Sequence, residues 1–353
     1  MTSRLTFAPD VWRMLNGILC VYKPAETSNR IFSISLGRRI CEELNQMKTR
    51  PQQTYVDLVK IGPGEDLSSI KGKKIVSTVP DGEDTIAVVE GPSYADHPAV
   101  IGPRYMGTDI KQVFVNNLGY RFSGLTVVGI NNGCQTAQRI RLSHWLRVYH
   151  VSGKFGTGTR TFFDDGPIAE KATFHKIKRP MLERLLAASQ SSHQRLMFES
   201  AGVPLDSQRA YELASEGMIR PSSTTVPLVY SLKLLEFDLP NFRIEIKVIN
   251  ETDQYLATLI HELGLKLNTV AACSKIHCVK YGPFELKHAL LRKHWTLDNI
   301  IANLHENANI LKDFKLVMRD PIVRGHSNAN DNTTNTNENV SKTNDAYTTS
   351  FSR

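Results

Sequence analysis

The sequence predicts an α+β fold: a mainly antiparallel, mixed sheet flanked by helices. Three observations lead there. Strand-like and helix-like runs are interspersed without the regular alternation of a doubly wound sheet. Residues 229–237 and 242–249 alternate apolar with polar side chains across a short break, as two antiparallel strands would. A hydrophobic fraction of 41% over 353 residues is enough for a sizeable buried core.

Taken in order, residues 17–22 (GILCVY) form a buried strand that stops at Lys23-Pro24, because proline offers no N–H to a ladder. Ile31, Ile34, Leu36, Ile40 and Leu44 fall at near-helical spacing between residues 27 and 45. Residues 48–97 hold Gly62-Pro63-Gly64 and Pro80-Asp81-Gly82 and are expected to be a loop-rich insertion with short strands. Strands are predicted at 124–130 and 147–151, with a helix over 135–145 between them. Helices follow at 180–188 and 207–217, the second closed by Gly217. After the antiparallel pair, Leu256, Leu259, Ile260, Leu263 and Leu267 mark an amphipathic helix over 253–267. A short strand or turn at 279–284 and helices at 284–291 and 297–304 complete the domain.

The domain spans residues 16–305, between an N-terminal extension (1–15) and a C-terminal extension (306–324). Residues 325–353 contain 17 Asn, Thr and Ser in 29 positions, a composition that cannot offset its ordering entropy and should stay disordered. In the N-terminal extension Arg4 and Arg13 face one acid, Asp10, with apolar residues between them; this partly fits an import presequence, although Pro9 is expected to interrupt a helix. No run approaches the roughly 18 apolar residues needed to span a bilayer.

The net charge of +8 is unevenly spread. Residues 54–101 carry eight acids and four lysines, whereas 102–233 carry 17 basic residues against nine acids. Residues 139–163 hold Arg139, Arg141, Arg147, Lys154 and Arg160 and no acid, interleaved with Trp145, Tyr149 and Phe155. Cations that neutralise phosphates beside rings that stack on bases would suit a single-stranded or flipped nucleotide of a nucleic acid. The competing reading is a solvated charged face over core aromatics.

Five scattered cysteines, Cys20, Cys41, Cys134, Cys273 and Cys278, form neither a disulfide framework nor a zinc-site spacing, and fit idle thiols in a reducing compartment. No G-x-G-x-x-G or Walker loop appears, so no nucleotide cofactor is expected.

Four stretches resemble the TruB-type RNA pseudouridine synthases. They are Asn16 to Pro24 (NGILCVYKP), Gly119 to Gly129 (GYRFSGLTVVG), Arg147 to Gly156 with Thr161 and Asp164-Asp165-Gly166, and Glu251 to Gly264 (ETDQYLATLIHELG). Details such as His97-Pro98-Ala99-Val100-Ile101-Gly102-Pro103 and Arg209-Ala210-Tyr211-Glu212 are most similar to the mitochondrial animal branch of that family. The resemblance implies a pseudouridine-synthase-like fold, isomerisation of a uridine in mitochondrial mRNA without a cofactor, and residence in the matrix beside other RNA-processing proteins. The family's bacterial members end in a small RNA-binding domain, and none is expected in the residues after Trp295.

In the family an aspartate acts on the ribose side of the glycosidic bond, an arginine pairs with it, and a tyrosine stacks on the extruded base. Tyr149 matches the stacking tyrosine, Lys23 the opening motif and Tyr255 the fourth, and Arg121, Arg147 and Lys154 are the accompanying candidates for RNA contact. The catalytic aspartate is missing between Gly119 and Gly124, Tyr120 replaces the histidine before it, and Ala257 stands where arginine is expected. A buried arginine without its carboxylate would be an uncompensated charge, so the two losses fit together. Either Asp109 replaces the acid by another loop path, with a cap or loop acid as its alternative role, or the chain is a catalytically inactive RNA-binding relative.

Overall fold

The computed structural model describes residues 7–49, 54–61, 74–81, 84–93, 100, 102–200, 202–216, 220–221, 226–317 and 322–323. The Asn/Thr/Ser-rich tail and the glycine-rich turns of the insertion lie outside the described residues.

Helix α1 (Ala8–Met14) begins at the residue before Pro9. Proline fits a first helical turn, whose N–H groups have no intrahelical partner, so Pro9 starts this helix instead of interrupting it. Ala8, Val11 and Leu15 are buried beside Leu36, Ile40 and Leu44, which makes residues 8–15 part of the core and not a separate extension. Strand β1 (Gly17–Lys23) stops at Pro24 as expected. Helix α2 (Asn29–Gln46) is capped by Ser28, whose hydroxyl accepts from the Ile31 N–H at 3.3 Å.

The insertion is more regular than its composition indicates. Strands β2 (Thr54–Ile61), β3 (Lys74–Asp81) and β4 (Asp84–Pro92) form a separate antiparallel sheet with β4 in the middle.

The central sheet then builds from β5 (Gln112–Phe114), β6 (Phe122–Ile130), α3 (Gly133–Leu142) and β7 (Arg147–Phe155). A small ribbon, β8 (Thr157–Thr159) with β9 (Ile168–Lys171), precedes α4 (Arg179–Ser200) and α5 (Gln208–Glu216). A two-residue strand β10 (Arg220–Pro221) leads to the hairpin β11 (Leu228–Asp238) and β12 (Asn241–Ile249). After helix α6 (Asp253–Lys266) come β13 (Ala271–Tyr281), β14 (Phe284–Glu285), α7 (Leu297–Val317) and β15 (Ile322–Val323), which pairs with β10. α7 passes residue 305 without a break, and Ile310, Leu311 and Phe314 beyond it pack on the core.

The sheet order is β1-β6-β13-β7-β12-β11, with β5 on β6 and β14 on β13. All of these pairs are antiparallel except β13 with β6. β13 is therefore a central strand, although its sequence, AACSKIHCVKY, predicts a strand only near its end. Two consecutive alanines and two cysteines read weakly by β propensity, yet small side chains are what a position between two strands and under α6 accepts. Residues 284–291, expected to be a helix, contain β14 and a single 3-10 turn at Leu286–His288, and Leu290 bridges to Val21. No helix among the described residues is long and apolar enough to cross a membrane.

Arg147, Tyr149 and Val151 share the face of β7 that packs toward α6, and period two sends His150, Ser152 and Lys154 to the other face. On that second face of β7, β12 and β13 Val148 and Ala272 are buried, while His150, Ser152, Lys154, Arg243, Glu245, Lys247, Lys275 and His277 are half-buried to exposed. This leaves the sheet open on one side.

Candidate functional site

The site is built around Lys23, which is 0% exposed although it is a lysine. Its Nζ donates to the carbonyls of Gly119 and Phe122, each at 2.9 Å, and to that of Pro24 at 3.4 Å. The ammonium thus ties the end of β1 to the short turn that leads into β6. Burial pulls its pKa down to about 8, against an opposing pull from the negative charge of Asp253. Below about 8 the folded and unfolded chains both hold this proton, and the cost of burying the charge is present in full. Between about 8 and the ordinary 10.5 only the unfolded chain keeps the proton, so this group's contribution to stability rises with pH. Denaturation at pH about 7.5 and about 9.5 should show the wild type gaining stability relative to Lys23→Met over that interval. Parallel behaviour would exclude the buried charge.

Beside it lies a buried ion pair. Glu251, in the turn after β12, has a side chain 2% exposed, and its Oε1 accepts from Arg147 Nη1 at 2.5 Å and from the Tyr149 hydroxyl at 2.7 Å. The Arg147 guanidinium also lies 5.2 Å from the centroid of the Tyr281 ring. Among the described residues no partner reaches Glu251 Oε2 or Arg147 Nε. Burial, reinforced by the charge of Glu251, raises the Tyr149 phenol well above its ordinary value and keeps it a donor.

Asp253 is the first residue of α6, following the N-cap Thr252, whose hydroxyl accepts from the Tyr255 N–H at 3.2 Å. Its carboxylate accepts from the backbone N–H of Gly119. A Cβ on Gly119 would sit 1.5 Å from Asp253 Oδ2, so glycine at 119 is what lets the carboxylate approach. Partial burial and the nearby Glu251 raise the pKa of Asp253, while Lys23, the Gly119 N–H and Arg147 pull it down. Two carboxylates and two cations from β1, β7 and the β12–α6 junction thus converge on the turn that opens β6.

The comparisons with known proteins bear on this arrangement. The N-terminal domain of the TruB family of pseudouridylate synthases matches residues 114–255, which include Gly119, Arg147, Tyr149, Glu251 and Asp253. The mitochondrial pseudouridylate synthase TRUB2 of Xenopus tropicalis is 33% identical over 300 residues, covering 85% of this chain and 88% of the relative. The chain belongs to the TruB family. Human TRUB2 is 32% identical, covering 81% of this chain and 82% of its own, and mouse TRUB1 is 27% identical over 54% and 56%. Among solved structures, an archaeal box H/ACA sRNP Nop10–Cbf5 complex overlaps with a TM-score of 0.42 at 10% identity, over 87% of this chain and 60% of that one.

Several residues expected to meet RNA in this TruB chain face inward. Tyr149 is 1% exposed, its ring edge-on to Phe122 at 6.2 Å, so the ring is part of the core and does not offer a face to a base. Lys23 and Arg147 are committed to carbonyls and to Glu251. Trp145 and Phe155 are buried as well, so these aromatics of the basic segment are core, while Arg147 of the same segment is held in the buried ion pair and not on a solvated face. The reason is parity, since Tyr149 and Phe155 fall on the packed face of β7. Arg121 is at the surface, paired with Asp165 at 2.9 Å and 4.7 Å from the centroid of the Phe163 ring. Lys154 is exposed. Tyr255 is half-buried, with its hydroxyl 3.3 Å from His193 Nε2. Asp109 takes the structural role left open for it: its Oδ2 accepts from the Met106 N–H at 2.8 Å in a turn near Cys41 of α2.

Glu251 and Asp253 were not singled out by sequence reasoning. An acid just after a Thr cap is an ordinary helix start, and that reading hides any second role. The available signal was the pairing of two acids with a chain that lacks the family's own aspartate.

Proposed function

We propose that this chain binds RNA and isomerises a uridine within it to pseudouridine, in the mitochondrial matrix and on mRNA. Membership of the TruB family supports the reaction, and the TRUB2 relatives, named as mitochondrial, support the compartment. The observation that carries RNA binding is the open face of the central sheet. Register places Lys154, Lys233, Arg243, Lys247, Lys275 and Lys280 there, against Glu236, Asp238, Glu245 and, opposite Lys280, Glu285. Such a surface gathers phosphates, and its affinity should fall steeply with salt.

Arg243→Glu with Lys275→Glu should weaken binding of a uridine-containing stem-loop by about tenfold or more and make the salt dependence shallower by about one unit per lost phosphate contact. Fluorescence anisotropy over a salt series reads both. Unchanged affinity and slope would move the RNA elsewhere. Chemical mapping of pseudouridine in the incubated RNA tests the isomerisation itself.

A second reading is favoured by one observation: Ala257, in the position where the family's arginine is expected, is 0% exposed. Under it the chain retains RNA binding without turnover and serves mitochondrial RNA or ribosome assembly. It predicts bound RNA with every uridine unchanged.

A further inference from the structure

We propose that Asp253, positioned by Gly119 and Lys23, is the carboxylate that acts on the ribose in place of the aspartate this chain lacks. The inference rests on the reading of the chain as an RNA pseudouridine synthase. Three observations single out this acid.

The first is place. Asp253 comes from α6, yet its carboxylate lies against Gly119, the residue that opens the motif from which the aspartate is missing. The second is access. Asp253 is exposed as a residue and its carboxylate only partly buried, whereas the Glu251 side chain is 2% exposed and engaged by Arg147 and Tyr149. Asp109 is occupied in its turn. The third is the field. With Ala257 in the arginine position, the nearby cations are the buried Lys23 and, farther into the cluster, Arg147, and both stabilise a carboxylate at 253. Tyr120, next to Gly119 and 58% exposed, offers the flat ring that the buried Tyr149 does not.

The chemistry balances without a cofactor. The N1–C1′ bond of uridine breaks, and its electron pair leaves on the uracil. The positive charge that develops at C1′ faces the Asp253 carboxylate. After the uracil turns, a pair from its C5 forms the new bond to C1′. The C5 proton passes to Asp253 and from there to N1, so that uridine and product are isomers and nothing is oxidised. Lys23 is a positioning residue here: its bonds to the Gly119 and Phe122 carbonyls fix the turn against which Asp253 rests.

The test uses the full chain and a pool of RNA stem-loops with uridines in their loops, read for pseudouridine by chemical mapping and for affinity by anisotropy. Asp253→Asn should lower pseudouridine formation by about 100-fold or more while RNA affinity stays within about twofold. Gly119→Ala is the second variant. It keeps Asp253 but displaces its carboxylate, which is the end of a flexible side chain, and it should show the same loss of turnover with a thermal melt close to wild type. If the wild type forms pseudouridine and Asp253→Asn does so equally well, the assignment fails and the enzymatic reading stands. If the wild type binds RNA and forms no product, both fail and the RNA-binding reading survives.

Discussion

Replacing Glu251 by alanine should destabilise the protein by about 3–5 kcal/mol, because it leaves a buried guanidinium without its counter-charge. Glu251 Oε1 is the acceptor shared by Arg147 and Tyr149, so one substitution strands two donors on the packed face of β7. Glu251→Gln keeps an acceptor of the same shape and should cost less. The double variant Arg147→Met with Glu251→Leu should recover most of the loss, since removing both charges also removes their desolvation. Urea denaturation midpoints of the four proteins decide this. If the alanine variant lies within about 1 kcal/mol of wild type, the pair is not buried in solution as it is here.

The fold was legible where side-chain period and local chemistry agree. The β11–β12 hairpin and α6 were both apparent because alternation and helical spacing are unambiguous over nine or more residues. β13 was not, because its first half is small and cysteine-containing, and its place between β6 and β7 is decided by tertiary packing. Pro9 misled in a different way. Proline disrupts a helix interior and suits a first turn, and only the burial of Ala8, Val11 and Leu15 tells which applies.

The site was legible as a neighbourhood and not as an orientation. Motif order brought Lys23, Arg147, Tyr149 and the start of α6 into one reading, and the structure brings them together. What spacing could not supply is the direction of each side chain. Tyr149 and Lys154 lie on one strand, yet one is core and the other is exposed. Hydrogen bonding decided the rest, since Lys23 finds three carbonyls within reach and so becomes a buried tie instead of a surface cation.

Gly124→Ala should be at least as damaging as the loss of Glu251, and the reason separates the two glycines of one motif. Gly124 holds φ at +114°, a region side chains rarely enter, and a Cβ there would lie 2.2 Å from the Cys278 carbonyl oxygen and 2.7 Å from its nitrogen. Both obstacles are backbone of β13, and Gly124 also pairs with Lys23 of β1, so relief requires opening the sheet beside the site. Backbone strain of this kind costs about 1–3 kcal/mol alone, and the steric term adds to it. At Gly119 the obstacle is the movable tip of Asp253, and the fold should barely notice. Thermal melts should therefore separate the two variants: Gly124→Ala unfolds early or fails to fold, and Gly119→Ala melts like wild type. Equal melting would mean that β6 does not approach β13 as closely at this point, and that the parallel pairing which frames Lys23 and Asp253 is looser than it is here.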